Sequence, residues 1–274
     1  MEETKINDLV NEVVNRIKNA ESSAEKEEDS KKNKNNKGGE LNLNLANEVT
    51  EFIGTAMGDT IGLVIANVDP DLRKLMGIDP KYRSIGVFGG RTGAGPQIYA
   101  ADEAVKASNT EIVKIELPRD TKGGAGHGSL IIFGAEEVSD ARRAVQVALE
   151  DLERTFGDVY GNDAGHLEFQ YTARASKALN AAFGAPEGKA FGITVGAPAG
   201  IGVIMADVAV KAATIDVVAY ASPSEGTSLT NEVILQFSGD SGAVRQAIVA
   251  AREVGLKLLG SLGAKPESSA TPYI

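Results

Sequence analysis

The sequence of 274 residues contains no cysteine, no tryptophan and only 5% aromatic residues. Without cysteine the chain forms no disulfides, thiolate metal sites or cysteine nucleophiles, which fits a reducing compartment such as the cytoplasm. With so few aromatic residues, the core must be built from Ala, Val, Ile and Leu, within a hydrophobic content of 42%. The 31 glycines predict tight turns and close backbone packing.

Basic charge is also scarce, because 28 Lys and Arg residues stand against 38 Asp and Glu residues, a net charge of −10. Binding to a nucleic-acid backbone requires clustered Lys and Arg, so the composition argues against nucleic-acid partners. The longest uncharged run, 190–206, is shorter than the ~20 apolar residues of a membrane helix and contains Gly and Pro. The acidic N-terminal segment lacks the apolar stretch of a secretory signal. We therefore expect no membrane partner.

One fourteen-residue stretch occurs twice, as GPQIYAADEAVKAS at Gly95–Ser108 and GIGVIMADVAVKAA at Gly200–Ala213. Its centre, residues 101–107 and 206–212, matches at six of seven positions with an offset of 206 − 101 = 105. A period of this length indicates duplication of a whole domain. We predict a first domain at 45–156 and a second at 157–274, called here the first and second repeats.

Hydrophobic patterning predicts the same order of elements in both repeats. The predicted strands are 51–55, 62–68, 82–88, 110–117 and 129–133 in the first repeat, and 165–172, 190–196, 215–221 and 232–237 in the second. Besides the two signature helices, the predicted helices are a short one starting at Asp69-Pro70, 141–155 with Ser139 or Asp140 as its cap, 176–183 and 243–259.

The N-terminal residues 1–18 are predicted to form an amphipathic helix, followed by a disordered linker at 19–44 that is rich in charge and poor in apolar residues. The apolar face contains Ile6, Leu9, Val10, Val13 and Ile17. An isolated helix of this length is unstable in water, so it either docks on a partner, lies on a membrane surface or is a frayed terminus.

Catalytic and metal-binding motifs are not found. His127 and His166 have no metal-ligand spacing, and the sequence has neither a nucleophile elbow nor a Gly-Lys-Ser/Thr phosphate loop. The Gly-rich turn 89–96 precedes a helix, but its glycine spacing and Pro96 do not fit a dinucleotide-binding turn. We expect no cofactor, no metal and no enzymatic activity. The alternative to a non-enzymatic protein is a nucleotide- or small-molecule-binding α/β enzyme. A third possibility is a ligand sensor that needs no cofactor.

The doubled Ala-Asp-x-Ala-Val-Lys-Ala before a strand, and Ser-Gly-Asp-Ser-Gly-Ala-Val-Arg-Gln-Ala at 238–247, resemble the bacterial microcompartment shell-protein domain. Two such domains in one chain are similar to the circularly permuted tandem class of these shell proteins. The stretches 54–69, 82–96, 115–131, 154–166 and 170–176 carry the same resemblance, which extends from about residue 48 to the end.

The resemblance implies an α/β (α+β) fold, with each tandem domain an antiparallel sheet of four or five strands flanked by helices. It implies a flat homotrimer with pseudo-sixfold symmetry, located in the cytoplasm in a microcompartment shell, that tiles into sheets with other shell proteins. The expected function is a structural shell protein of a diol-utilisation organelle, with pores for small polyols such as 1,2-propanediol or glycerol. Its N-terminal helix would bind encapsulated diol-degrading enzymes.

The resemblance also implies roles for individual residues. Lys106 and Lys211 would lie at the edge of the tile and contact the next tile, with Asp102 and Asp207 as their i, i+4 partners; the alternative is a solvated helix lysine. The polar loops 118–129 and 222–231 would line pores, and the residues expected there are Thr121, His127, Ser129, Glu225, Thr227 and Asn231.

Overall fold

The computed structural model describes residues 46–117, 128–224 and 231–274. The described chain divides into two compact units, with the boundary after Phe52. Residues 46–52 hold a turn in which the Phe52 amide donates to the Val49 carbonyl oxygen at 3.0 Å. Residues 53–274 form the second unit. The predicted N-terminal helix and linker lie outside the described residues.

The first repeat contains a five-stranded sheet in the order β1-β2-β3-β5-β4. Strands β2, β3, β5 and β4 pair antiparallel. The bounds of the strands are Phe52–Ala56 (β1), Thr60–Ile65 (β2), Ser84–Gly90 (β3), Glu111–Glu116 (β4) and Ser129–Ala135 (β5). The helices are Pro70–Leu75 (α1), Gly95–Lys106 (α2) and Val138–Thr155 (α3).

The second repeat contains a six-stranded antiparallel sheet in the order β11-β6-β7-β8-β10-β9. The bounds are Val159–Asn162 (β6), Gly165–Thr172 (β7), Ala190–Ala197 (β8), Asp216–Ala221 (β9), Val233–Gly239 (β10) and Glu267–Ser268 (β11). The helices are Lys177–Phe183 (α4), Ala199–Ala212 (α5) and Ser241–Gly260 (α6). The described parts of the two repeats therefore have the same strand and helix order from β2 to α3 and from β7 to α6.

Most predicted elements are present, with two corrections. The second sheet has six strands instead of four or five, because the short strands β6 and β11 were not predicted. These strands have only four and two residues, too few for a period-two pattern. The predicted cap of α3 was wrong as well. The helix begins at Val138 after Glu137, whose backbone is extended, and Ser139 and Asp140 lie inside its first turn.

The duplication extends to irregular features. A bulge falls at Val113 in β4 and at Val218 in β9, again 105 residues apart. Each short helix is followed by a glycine with positive φ, Gly77 at 71° and Gly184 at 69°. Because a side chain disfavours this left-handed conformation, glycine is required at both helix ends.

The largest apolar cluster extends across both repeats. It combines Phe88, Ile98 and Tyr99 of the first repeat with Leu179 and Phe191 of the second, all of them fully buried. A second cluster fills the space under α5 and α6, where Met205 and Phe237 are buried. The contact between the repeats, called here the seam, is therefore part of the main core.

The C-terminal segment is held against the second repeat by a buried ion pair. Arg252 of α6 donates to Asp158 and, at 2.9 Å, to the carbonyl oxygen of Ile274. Asp158 also accepts from the backbone amides of Tyr273 and Ile274 at 2.8 and 3.0 Å. Because the carboxylate is fully buried, these donors are needed to offset its desolvation.

A second buried carboxyl lies at the seam. Glu168 of β7 lies so close to the start of α2 that a Cβ on Gly95 would collide with it. Its Oε1 accepts from Gln170 Nε2 at 3.2 Å, but burial dominates and raises the pKa of Glu168 to about 8. The folded protein therefore holds this carboxyl protonated at a pH where the unfolded chain ionises it.

The pKa of Glu168 predicts a loss of stability as the pH rises from about 4.5 to about 8. In this range the folded state binds more protons than the unfolded state, and the full shift corresponds to about 5 kcal/mol of unfolding free energy. Glu168→Gln should remove this dependence and be the more stable chain at pH 8. Urea unfolding at pH 5 and pH 8 measures it, with Glu253→Gln on the exposed side of α6 as the control. A wild-type stability that is equal at both pH values would contradict the prediction.

Candidate functional site

The first signature helix, α2, is buried along the face that meets the second repeat. It begins at Gly95 with Pro96 in the first turn, where the missing N–H of proline costs no helix hydrogen bond. Ile98 and Tyr99 lie one turn before Asp102, and all three are buried. The Tyr99 hydroxyl donates to the Phe191 carbonyl oxygen of β8 at 3.5 Å, and burial holds the Tyr99 pKa well above its usual range.

The carboxylate of Asp102 caps a helix of the other repeat. Its Oδ1 accepts from the Ser176 backbone amide at 2.9 Å, from the Ser176 hydroxyl and from the Leu179 amide at 3.4 Å. These groups lie at the N-terminus of α4, where unpaired N–H groups favour an anion. Asp102 therefore stabilises α4 and the seam together.

Lys106 neutralises this buried carboxylate. Its Nζ lies 2.7 Å from Asp102 Oδ2 and 2.7 Å from Glu103 Oε1. It also donates to Thr172 Oγ1 of β7 at 3.3 Å, so its side chain bridges the two repeats and is only 28% exposed. The predicted i, i+4 ion pair is present, within a network that also includes the second repeat.

The second signature helix, α5, has the same face exposed. Val203 and Ile204 occupy the positions of Ile98 and Tyr99, yet they are 47% and 46% exposed. Lys211 Nζ lies 2.7 Å from Asp207 Oδ2, the predicted ion pair, and the Lys211 side chain is 72% exposed. In the described chain no element covers this face of α5.

The helix α1 is the counterpart of α4, and it also has an exposed face. Leu179 of α4 is fully buried against α2, whereas Leu72, at the same position of α1, is 46% exposed. Leu75 of α1 and Ile61 of β2 are exposed as well. The same contrast holds for Gly95, which is covered by Glu168, and Gly200, where an added Cβ would meet no atom of the described chain within 4 Å.

Two of the six predicted pore residues are described. Ser129 is the first residue of β5, is buried and has no hydrogen-bond partner for its hydroxyl among the described residues. Asn231 is exposed, and its Oδ1 accepts from the Ala199 amide at the start of α5 at 3.3 Å. Thr121, His127, Glu225 and Thr227 lie outside the described residues, as do the five apolar residues of the N-terminal helix.

One of the two histidines, His166, contacts a carboxylate. His166 Nε2 lies 3.1 Å from Glu232 Oε2, and both side chains are buried. In the described ranges no group of three or more His, Cys, Asp or Glu side chains could hold a metal ion. Within the same ranges, no helix combines the length and apolarity that crossing a membrane requires.

The sequence predictions missed the capping role of Asp102 and the buried carboxyl of Glu168. Asp102 was assigned only to Lys106, because an i, i+4 spacing is visible in sequence and a contact 74 residues away is not. A usable signal did exist. Ser176 and Asp69, each an N-cap type of residue, precede the two short helices at equivalent positions.

Residues 84–162 and 190–265 match the family model of the BMC domain. The chain is 66% identical over 226 residues to the bacterial microcompartment shell protein PduB of Salmonella typhimurium, covering 82% of this chain and 84% of that protein. It is 65% identical to PduB of Citrobacter freundii over the same shares of the two chains.

The fold matches a crystal structure described as a trimeric bacterial microcompartment shell protein PduB. The TM-score is 0.79 at 54% identity, over 82% of this chain and 100% of that one. These comparisons confirm the resemblance and the fold class predicted from the doubled motif. Two regions of one chain match the same domain, each with an antiparallel sheet flanked by helices, and the chain belongs to the BMC domain family.

Proposed function

We propose that this chain is a structural, non-enzymatic shell protein of a bacterial diol-utilisation microcompartment, and that three copies form one tile. The observation that carries the proposal is the pair of BMC domains at high identity to PduB shell proteins. The solved relative described as trimeric supports three copies. Two repeats in each of three chains give the six edges that a hexagonal tile requires.

Contact between tiles is proposed to use Lys106 and Lys211. Both lie in the last turn of the signature helix of their repeat, and both keep an exposed part of the side chain. They are not equivalent in the single chain, because Lys106 is bound by Asp102, Glu103 and Thr172, whereas Lys211 is paired with Asp207 on its own helix. Lys211 is therefore the residue to change, since its loss removes an edge contact without opening the seam.

Lys211→Ala should prevent the growth of tiles into sheets at a protein concentration at which the chains are still trimeric, because the loss of the Asp207 ion pair weakens the tile itself as well. Native mass spectrometry measures the tile, and negative-stain electron microscopy detects the hexagonal sheets. Lys257→Ala, an exposed lysine in the last turn of α6, is the matched control and should form sheets like the wild type. Normal sheets from Lys211→Ala would refute the edge role.

The N-terminal residues 1–44 are proposed to bind encapsulated enzymes through the predicted amphipathic helix. Their placement before the first repeat and their apolar spacing support this role. In the same imaging assay, deletion of 1–44 should leave sheets unchanged. Purified compartments carrying the deletion should lose the diol-degrading enzymes from the sedimenting shell fraction, and unchanged co-sedimentation would exclude the role.

The polar loops that end at Ser129 and Asn231 are proposed to line small pores. They precede equivalent strands, β5 and β10, and the buried Ser129 hydroxyl has an unused hydrogen-bonding capacity among the described residues. A diol can pair with such groups, and each polar atom left unpaired costs about 1–3 kcal/mol.

Crystals soaked with glycerol or 1,2-propanediol should show the diol beside Ser129 or Asn231, because its hydroxyls can pair with the polar groups of these side chains. A matched soak with 1-propanol, which has one hydroxyl, should show lower occupancy. Diol density only at crystal contacts would count against the pore residues.

A further inference from the structure

The seam inside the chain, called here the inner seam, indicates which kind of surface can cover the exposed faces of α5 and α1. At the seam, α2 packs on α4, and Ile98, Tyr99 and Leu179 are buried in one cluster. The counterparts Val203, Ile204 and Leu72, on α5 and α1, are exposed. The exposed face of α5 has the same pattern as the face of α2 that packs on α4. Its expected partner is therefore the counterpart of α4, which is α1.

A second copy of the chain supplies both missing halves at once. The α5 face of one copy can pack on α1 of the next. Ile61 would then cover Gly200, as Glu168 covers Gly95 at the seam. Repeating this contact through three copies closes a ring, so the inference rests on the proposed trimer. We call this contact the closing seam, to distinguish it from the seam inside each chain.

The closing seam differs from the seam inside the chain at the capping position. Ser176 donates both its amide and its hydroxyl to Asp102. Its counterpart Asp69 is a carboxylate that already accepts from the Asp71 and Leu72 amides at 3.0 Å each. The counterpart of Asp102 is Asp207, so the closing seam would bring two carboxylates together where the inner seam pairs a carboxylate with a hydroxyl.

The charged groups beside these two carboxylates are of both signs. On α5, Lys211 binds Asp207, and the position of Glu103 is taken by Val208. On α1, Asp71, Arg73 and Lys74 follow the cap, and Arg73 donates to the Tyr82 carbonyl oxygen. After α1, Asp79 precedes Lys81, whose Nζ lies 3.6 Å from Glu111 Oε2. On β2, Ile65 stands at the position of Thr172 and adds no charge.

We infer that, in the proposed trimer, Asp207 of one copy meets Asp69 of the next across this closing seam. Two carboxylates at one site bind a proton more tightly than either alone. The assembled ring therefore takes up protons that the free chains do not hold, and ring closure strengthens as the pH falls. The same pair makes the closing seam weaker than the inner seam at neutral pH.

The test compares Asp69→Ser with the wild type as full-length chains. The serine reproduces the capping residue Ser176 of the inner seam and removes one of the two carboxylates. The concentration at which half of the chains are trimeric should therefore fall about tenfold at pH 8. The wild type should trimerise at lower concentration at pH 5 than at pH 8, and Asp69→Ser should lose most of this difference. Sedimentation velocity or mass photometry measures the trimer fraction.

Two controls isolate the carboxylate pair. Asp71→Ser removes the same charge from the same turn of α1 but is not the capping residue, so it should change trimer formation much less. Asp69→Asn keeps a good helix cap and should behave like Asp69→Ser, which excludes an effect through unfolding of α1. Glu168 is intact in all variants, so its own titration cancels in each comparison at one pH.

The outcomes separate this inference from the proposed function. Trimers whose stability is the same for Asp69→Ser and Asp71→Ser, or the same at pH 5 and pH 8, would overturn the carboxylate pair and leave the tile intact. Chains that stay monomeric at every pH would overturn the closing seam and the tile together. Where dilution does not dissociate the trimer, the rate of subunit exchange between differently tagged trimers ranks the stabilities of the variants in the same order.

Discussion

The buried carboxylate of Asp102 is the contact on which the pairing of the two repeats depends. It joins the capping of α4, the ion pair with Lys106 and the apolar cluster around Tyr99 in one place. A buried carboxylate without donors would be costly, so α2 and α4 are stable in this arrangement only when they are together. The seam is therefore both a part of the core and the pattern from which the exposed faces can be understood.

Duplication explains why the described chain covers one of its two signature helices and leaves a face of the other exposed. One signature helix, α2, is covered by other elements of the chain, whereas α5 exposes the same apolar positions to solvent. Leu72 and Leu75 on α1 give the complementary exposed face. Exposed apolar faces of this kind mark interaction surfaces, and here the inner seam indicates which surface fits each of them. Under the proposed function, a shell tile would form when neighbouring copies make between chains the contact that α2 and α4 make within one chain.

The sequence predicted the duplication and most elements, because periodic apolar residues and doubled motifs are local signals. It did not predict β6 and β11, which are too short to show a period, or the start of α3, where Glu137 precedes the helix without a side-chain cap. The role of Asp102 was only half predicted. Lys106 lies four residues away in sequence, but Ser176 is brought to the carboxylate only by tertiary packing. The same limit applies to Glu168, whose raised pKa comes from burial against the other repeat.

The most direct test of the account is a cross-link at the closing seam. The chain has no cysteine, so the double variant Asp69→Cys, Asp207→Cys introduces the only two thiols. Their counterparts Ser176 and Asp102 are in hydrogen-bond contact, so the account predicts that the two cysteines lie close together across the closing seam. Under mild oxidation, denaturing electrophoresis should show a covalent species of about three times 28.6 kDa, absent from both single variants. Single chains only, or a ladder that continues beyond three copies, would contradict closure of the ring through α5 and α1.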